Sequence, residues 1–197
     1  MRRRGKALEA RLQDIQKELA RGRFDVAIKG LQNAKVDFGR WLLFTTSNLD
    51  GQIGTIHFVR QEFDKARPFL KNAFVRHWVA RAMYGVLLFK KKDLAEMDKV
   101  FEAATKVSGK QGLLWNVWAY CHWRSDNNAR AIEILARGKK ILQDNDPRLG
   151  ANLLNLQNSR KMKMRGYGEQ WYQFHLETHP QIMQQRARAN PRIAWLL

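Results

Sequence analysis

Hydrophobic positions recur along this chain at the three- and four-residue spacing of amphipathic helices. The first apolar stripe lies within residues 6–20 and consists of Leu8, Leu12, Ile15 and Leu19. A second stripe runs from Phe24 to Phe38, and Gly22 separates the two stripes. Two short helices with a break between them predict a helical hairpin.

The same helix–turn–helix pattern returns further along the chain. Segments 78–108 and 112–144 align at an offset of 34 residues, which carries Gly85 onto Ala119, Met97 onto Ala131 and Phe101 onto Leu135. An offset of 31 residues carries Gly54 onto Gly85 and Ala66 onto Met97. Polar turns at 90–93 and 124–128 separate the helices of these two segments. The predicted N-caps of the second helices are Asp64, Asp93 and either Asn127 or Asn128.

A period between 20 and 50 residues is typical of stacked repeats, because a single hairpin cannot bury both of its apolar faces. The sequence therefore predicts an all-α fold, an α-solenoid of about five helix–turn–helix units. One domain is expected over residues 1–180, with units at 5–39, 41–76, 78–109, 112–145 and 148–179. The fifth unit should be degenerate, with helices within 151–164 and 166–177, and a basic C-terminal tail should cover 181–197.

Small and large residues alternate in register across these units, and this pattern resembles that of tetratricopeptide repeat proteins. In that family, small residues lie where the two helices of a hairpin cross, and a bulky apolar residue lies between them. The matching positions are Ala27, Leu31 and Ala34; Gly54, Ala66, Leu70 and Ala73; Gly85, Met97, Phe101 and Ala104; Ala119, Ala131, Leu135 and Gly138. The resemblance implies a right-handed solenoid with a concave groove lined by the first helix of each unit.

The resemblance also implies which residues face that groove. The predicted partner-binding residues, which combine these positions with the Trp-rich helix and a series of asparagines, are Phe58, Phe89, Asn116, Tyr120, Trp123, Arg124, Asn152 and Asn155. Tryptophan, tyrosine and arginine commonly contribute much of the binding energy at interfaces. In an alternative interpretation, the tryptophans form core between repeats and the asparagines are ordinary helix-surface groups. Gly51 and Thr55 occupy positions where some family members clamp a carboxylate, so no such clamp is expected.

The net charge of the chain is +18, and the excess of basic residues is concentrated at both ends. Residues 1–46 contain 11 basic and 5 acidic groups, and residues 148–197 contain 8 and 2. The candidate residues for binding an anionic surface are Arg2, Arg3, Arg4, Lys161, Lys163 and Arg165. An anionic membrane surface or RNA is thus an alternative partner. Nucleic acid is the less favoured of the two, because no pair of polar residues recurs from repeat to repeat as a base-reading code would need.

Motifs for catalysis, cofactors or metals are absent from the sequence. It lacks the metalloprotease, nucleophile-elbow, P-loop and dinucleotide-binding patterns. His175 and His179 are four residues apart but have no third ligand nearby, and the single Cys121 is interpreted as a core residue. We therefore expect no enzyme activity, no cofactor and no metal.

The longest uninterrupted apolar run, Ala82–Phe89, is eight residues long, whereas a membrane helix needs roughly 18. A cytoplasmic location is expected, with the cytoplasmic face of a membrane as a second option. The basic cluster near Met1 would also suit the cytoplasmic side of a preceding membrane anchor. The sequence thus predicts a non-enzymatic scaffold that binds a peptide or helix of another protein.

Overall fold

A computed structural model describes residues 2–40, 44–143, 145–179 and 181 of the chain. Over these residues the regular structure is entirely helical, and no strand is present. The chain divides into two compact units between Met162 and Lys163. We call them the hairpin unit and the C-terminal segment, and each is described by itself.

The hairpin unit consists of four helical hairpins followed by a single helix. Its helices are α1 (Arg2–Ala20), α2 (Phe24–Phe38), α3 (Thr45–Val59), α4 (Phe63–Lys71), α5 (Trp78–Lys90), α6 (Leu94–Ser108), α7 (Gly112–Trp123), α8 (Asn128–Leu142) and α9 (Pro147–Gln157). Each second helix contacts the first helix of the next hairpin, and α3, α5, α7 and α9 also contact one another in succession. This arrangement confirms the predicted all-α fold of consecutively stacked helical hairpins.

Every first helix of the hairpin unit ends in the same backbone turn. The turn contains one residue with positive φ, namely Gly22 (72°), Gln61 (62°), Lys92 (62°), Asp126 (58°) or Ser159 (56°). The amide of the next residue donates to the carbonyl five positions earlier, as in Asp93 to Leu88 and Asn127 to His122, both 3.0 Å. This is the Schellman type of helix end. The repeat is therefore present in the backbone as well as in the side chains.

Glycines at the crossing points let the two helices of a hairpin approach closely. A Cβ atom at Gly54 would lie 2.8 Å from the Leu70 side chain and 2.9 Å from its backbone nitrogen. A Cβ at Gly85 would meet the ring of Phe101. The small and large residues that the sequence pattern paired at these crossings are therefore in contact in the structure.

Side-chain caps begin the second helices of the third and fourth hairpins. Asp93 Oδ1 accepts from the Glu96 amide, and Asn127 Oδ1 accepts from the Arg130 amide, each at 3.2 Å. Both predicted caps are confirmed. The predicted cap at Asp64 is wrong, because α4 already begins at Phe63, and Asp64 lies in its first turn.

The predicted fifth hairpin is only partly formed. Its first helix, α9, begins earlier than expected because Asp146 caps it, with Pro147 as its first residue. It ends at Gln157, at the Schellman turn. The second helix predicted over 166–177 is wrong.

The C-terminal segment instead contains a 3-10 turn, Arg165–Tyr167, and a one-turn helix, α10 (Glu169–Tyr172). Gly168, with φ of 58°, separates these two turns and interrupts a longer helix. The predicted tail over 181–197 lies outside the described residues except for Gln181.

Candidate functional site

Four of the eight predicted groove residues lie in the interior. The exposed fractions are 0% for Phe58 and Asn116, and 1% for Tyr120 and Asn152. The expectation that these four side chains line an open groove is therefore corrected, because each is enclosed by other residues. Phe89, Trp123 and Asn155 are half-buried, and Arg124 is exposed.

The two buried asparagines hydrogen-bond to each other. Asn152 Nδ2 donates to Asn116 Oδ1 at 2.8 Å, and Asn116 Nδ2 donates to the Gly112 carbonyl at 2.9 Å. These amides therefore join α7 to α9. Both were predicted to bind a partner in the groove, but in the structure they connect neighbouring first helices.

Tyr120 supports the two predicted residues that remain accessible at the end of α7. Its ring lies edge-to-face with that of Trp123, with centroids 5.3 Å apart. Arg124 Nη1 donates to the Tyr120 hydroxyl at 3.3 Å, and its guanidinium carbon lies 6.0 Å from the centre of the Tyr120 ring. A buried tyrosine thus holds an exposed arginine in a defined position.

Next to Arg124, the turns of the third and fourth hairpins enclose a pocket of about 470 Å³. Its lining residues are Phe89, Lys90, Lys92, Leu94, Arg124, Ser125 and Asp126, and we call it the turn pocket. It brings together Phe89 and Arg124, two of the predicted partner-binding residues.

Sequence reasoning missed the remaining lining residues of the turn pocket. Apart from Arg124 and the helix caps, it treated 90–93 and 124–128 as polar connections between helices. Nevertheless, Lys92 and Asp126 are 34 residues apart, which is the offset that aligns the two hairpins. That repeated turn was the signal available in the sequence.

Backbone hydrogen bonds fix the walls of the turn pocket. The Lys92 amide donates to the Phe89 carbonyl at 2.8 Å, and the Asp126 amide donates to the Trp123 carbonyl at 3.1 Å. Ser125 Oγ donates to the Cys121 carbonyl at 3.0 Å. Side chains at these turns are therefore displayed from a rigid frame.

Positive charge predominates in the turn pocket. Three of its lining residues are basic and one, Asp126, is acidic. The Lys90 ammonium lies 5.1 Å from the centre of the Phe63 ring, a cation–π contact. Over the residues that the structure describes, neither Lys92 nor Arg124 has a carboxylate within ion-pair distance.

The arginines at the first two hairpin turns are in a different situation. Arg21 and Arg23 both pair with Glu18, at 3.2 and 3.0 Å. Arg60 pairs with Asp25 at 2.6 Å, and this hydrogen bond lowers the pKa of the Asp25 carboxyl. Over the described residues, the arginines of the first two turns thus have carboxylate partners, whereas Lys92 and Arg124 at the third and fourth turns do not.

A separate polar cluster joins the third hairpin to the fourth. Asp98 Oδ1 accepts from Trp118 Nε1 and lies against His122 Nε2, both at 2.7 Å, and Arg130 approaches Oδ2 at 3.6 Å. His122 is buried at 3% exposure, and Trp118 is fully enclosed. This cluster connects the cores of two hairpins, and its Asp98 and Arg130 side chains are 30% and 29% exposed.

Cys121 is buried, as the sequence interpretation expected. Burial raises the pKa of its thiol. Because the thiolate is the reactive form of cysteine, this residue is not arranged as a nucleophile. Within the described ranges, no three His, Cys, Asp or Glu residues are grouped so that they could hold a metal ion.

Five of the six candidate residues for an anionic surface have exposed side chains. Arg2 begins α1, and the side chains of Arg3, Arg4, Lys161, Lys163 and Arg165 are exposed. Among the helices of the described residues, none has both the length and the apolar character needed to cross a bilayer.

Neither the comparison with protein-family models nor that with curated proteins finds a match.

Proposed function

We propose that this protein is a non-catalytic scaffold of the tetratricopeptide-like class that binds a segment of another protein in the turn pocket. The recurring Schellman turns and the small-to-large packing support the class. The observation that carries the function is the pocket itself, in which Phe89 and Arg124 are accessible on a rigid backbone frame. An aromatic ring beside an arginine is a common centre of binding energy at protein interfaces.

The turn pocket is a better candidate than the inner face predicted from the sequence. Phe58, Asn116, Tyr120 and Asn152 are at most 1% exposed, so they cannot contact a partner without a rearrangement. Phe89 and Arg124 need no rearrangement to do so. The half-buried Trp123 lies next to Arg124 in the chain and extends the apolar surface available to a partner.

Selection from a displayed library of random peptides tests this proposal. Peptides recovered on the wild-type chain should lose binding to the Phe89→Asp variant, in which a carboxylate replaces the aromatic wall of the pocket. The matched control is Val107→Asp, since Val107 is 46% exposed on α6 and does not line the pocket. Circular dichroism and thermal unfolding should show that both variants are folded.

Two outcomes would contradict the proposal. In the first, no peptide is selected on the folded wild-type chain. In the second, the recovered peptides bind Phe89→Asp as tightly as they bind Val107→Asp, which would place the binding surface elsewhere.

The exposed basic residues near the N-terminus support a second candidate function, attachment to an anionic membrane surface or RNA. Arg3 and Arg4 are exposed on the first turns of α1. Co-sedimentation with phosphatidylserine vesicles and a mobility shift with RNA, each across a salt series, would test it. Binding should weaken in Arg3→Glu/Arg4→Glu and persist in Lys110→Glu/Lys140→Glu, which has the same net charge. Equal weakening in both variants, or no binding, would reject this candidate.

A further inference from the structure

We propose that the turn pocket selects acidic protein segments in which an apolar side chain is flanked by carboxylates. This inference deepens the proposed function and rests on it. The occupant is inferred from charge complementarity, from the two apolar walls and from the place of the one acidic residue.

Two basic side chains of the turn pocket are available to bind carboxylates. Lys92 and Arg124 line the same pocket, and neither has a carboxylate in ion-pair contact in the described part of the chain. One N–H of Arg124 is directed to the Tyr120 hydroxyl. A guanidinium has five N–H groups in a planar fork, so donors remain for a carboxylate in the bidentate arrangement that arginine favours.

The turn pocket also has two apolar walls. Phe89, from the last turn of α5, and Leu94, from the first residue of α6, are both half-buried in the pocket lining. A volume of about 470 Å³ accommodates a large side chain together with its neighbours. A free inorganic anion would leave these walls uncovered, whereas a peptide with one leucine or phenylalanine would cover them.

Asp126 favours an acidic peptide over a polyanion as the occupant of the turn pocket. Asp126 shares the pocket with the three basic residues, so a continuous row of phosphates would bring negative charge against its carboxylate. At the second hairpin turn, Arg60 is already paired with Asp25 and Glu62. The unpaired charge of Lys92 and Arg124 therefore does not extend to Arg60 at the neighbouring turn, which suits a short segment with separated carboxylates better than a long nucleic-acid backbone.

Fluorescence anisotropy with defined peptides tests this inference. The probe is a fluorescein-labelled, C-terminally amidated octapeptide with a central leucine and two glutamates on either side. We expect a dissociation constant on the order of 10 μM at moderate salt. The variant Lys92→Glu/Arg124→Glu should weaken binding at least about tenfold, which corresponds to roughly 1.4 kcal/mol.

Two controls make the test specific. The variant Lys110→Glu/Lys140→Glu changes the net charge equally at exposed residues outside the pocket and should bind the probe almost as tightly as the wild type. A second octapeptide with glutamine in place of each glutamate should bind the wild type at least about fivefold more weakly.

The remaining outcomes overturn the inference in distinguishable ways. Equal loss in both charge-reversed variants would indicate a general charge effect. The glutamine peptide could bind the wild type as tightly as the glutamate peptide does and fail to bind Phe89→Asp. That result would refute the acidic selectivity but leave the proposed function standing. Binding of a uridine dodecamer or phosphatidylserine vesicles through Lys92 and Arg124, without peptide binding, would identify a polyanion site and refute both proposals.

Discussion

The ring of Phe101 occupies the position that a Cβ atom at Gly85 would need. Phe101 is fully buried in the second helix of the third hairpin, and Gly85 lies in the first helix. The two residues set the distance between α5 and α6, since the absence of a side chain at one position makes room for the ring at the other. The close approach of the two helices therefore depends on this pair.

Gly85→Ala should destabilise the protein by about 1–3 kcal/mol, because the added methyl group overpacks the crossing. Alanine is otherwise favoured over glycine in a helix by about 1 kcal/mol. Gly150→Ala is the matched control, since Gly150 lies in α9 and a Cβ there would have no neighbour within 4 Å. Urea denaturation should show a loss for Gly85→Ala and a small gain for Gly150→Ala. A gain for both would mean that α5 and α6 can separate at little cost.

Most of the fold could be predicted from the sequence because single small and large residues determine where neighbouring helices pack against each other. Gly54 with Leu70 and Gly85 with Phe101 are recognisable pairs of a small and a large residue, and they are in contact in the structure. The fifth hairpin could not be predicted as reliably. Its apolar residues continue past α9, but the turn at Gly168 interrupts them, and a hydrophobic pattern alone does not report such an interruption.

The site was harder to predict for a different reason. The helical period shows which residues share a face of a helix, but it does not show whether other parts of the protein bury that face. Asn116 and Tyr120 are at positions that the family resemblance assigns to the groove, yet both are buried. The lining of the turn pocket also depends on the positive φ of Lys92 and Asp126, and neither residue type signals that conformation as strongly as glycine does.

The hydrogen bond between Asn152 and Asn116 should couple the stability of α7 and α9. Asn152→Leu removes the donor that lies 2.8 Å from Asn116 Oδ1, so a buried acceptor loses that bond at a cost of about 1–3 kcal/mol. The double variant Asn116→Leu/Asn152→Leu should be less destabilised than the sum of the two single variants. A double-mutant cycle by urea denaturation measures the difference. Additive effects would mean that the two amides contribute independently.

His77 should make the stability of the third hairpin dependent on pH. Its Nδ1 accepts the Ala80 amide at 3.3 Å and so caps the start of α5, a role that requires the neutral ring. Burial lowers the pKa of His77 in the folded protein. The unfolded chain therefore binds the proton more readily, and its histidine titrates near pH 6.5. The stabilisation is complete above that pH and is lost as the pH falls through the lower pKa of the folded state.

The variant His77→Asn tests this dependence, because asparagine can cap a helix without titrating. The midpoint of urea denaturation should fall less between pH 7 and 5 in His77→Asn than in the wild type. The two proteins should differ most at the acidic end of this range. Parallel pH profiles would show that groups other than His77 account for the acid sensitivity.

Asp126 should limit both the stability of its turn and the affinity of the turn pocket for carboxylates. Its φ of 58° is in the left-handed region, which glycine adopts without the cost of a Cβ. Asp126→Gly should therefore stabilise the protein by up to about 1 kcal/mol. The gain is smaller than at most other residue types, because aspartate tolerates the left-handed conformation comparatively well. The glutamate octapeptide should also bind about two- to fivefold more tightly, since a like charge is removed from the pocket.

Gln61→Gly separates these two effects. Gln61 has a φ of 62° at the equivalent turn of the second hairpin but does not line the turn pocket. It should gain stability in thermal unfolding while its affinity for the octapeptide remains that of the wild type. If Gln61→Gly tightened binding as much as Asp126→Gly, the gain would come from a general stabilisation of the hairpins. If neither variant tightened binding, Asp126 would not repel the carboxylates of the bound peptide. The position of Asp126 in the pocket would then no longer favour a short acidic segment over a polyanion.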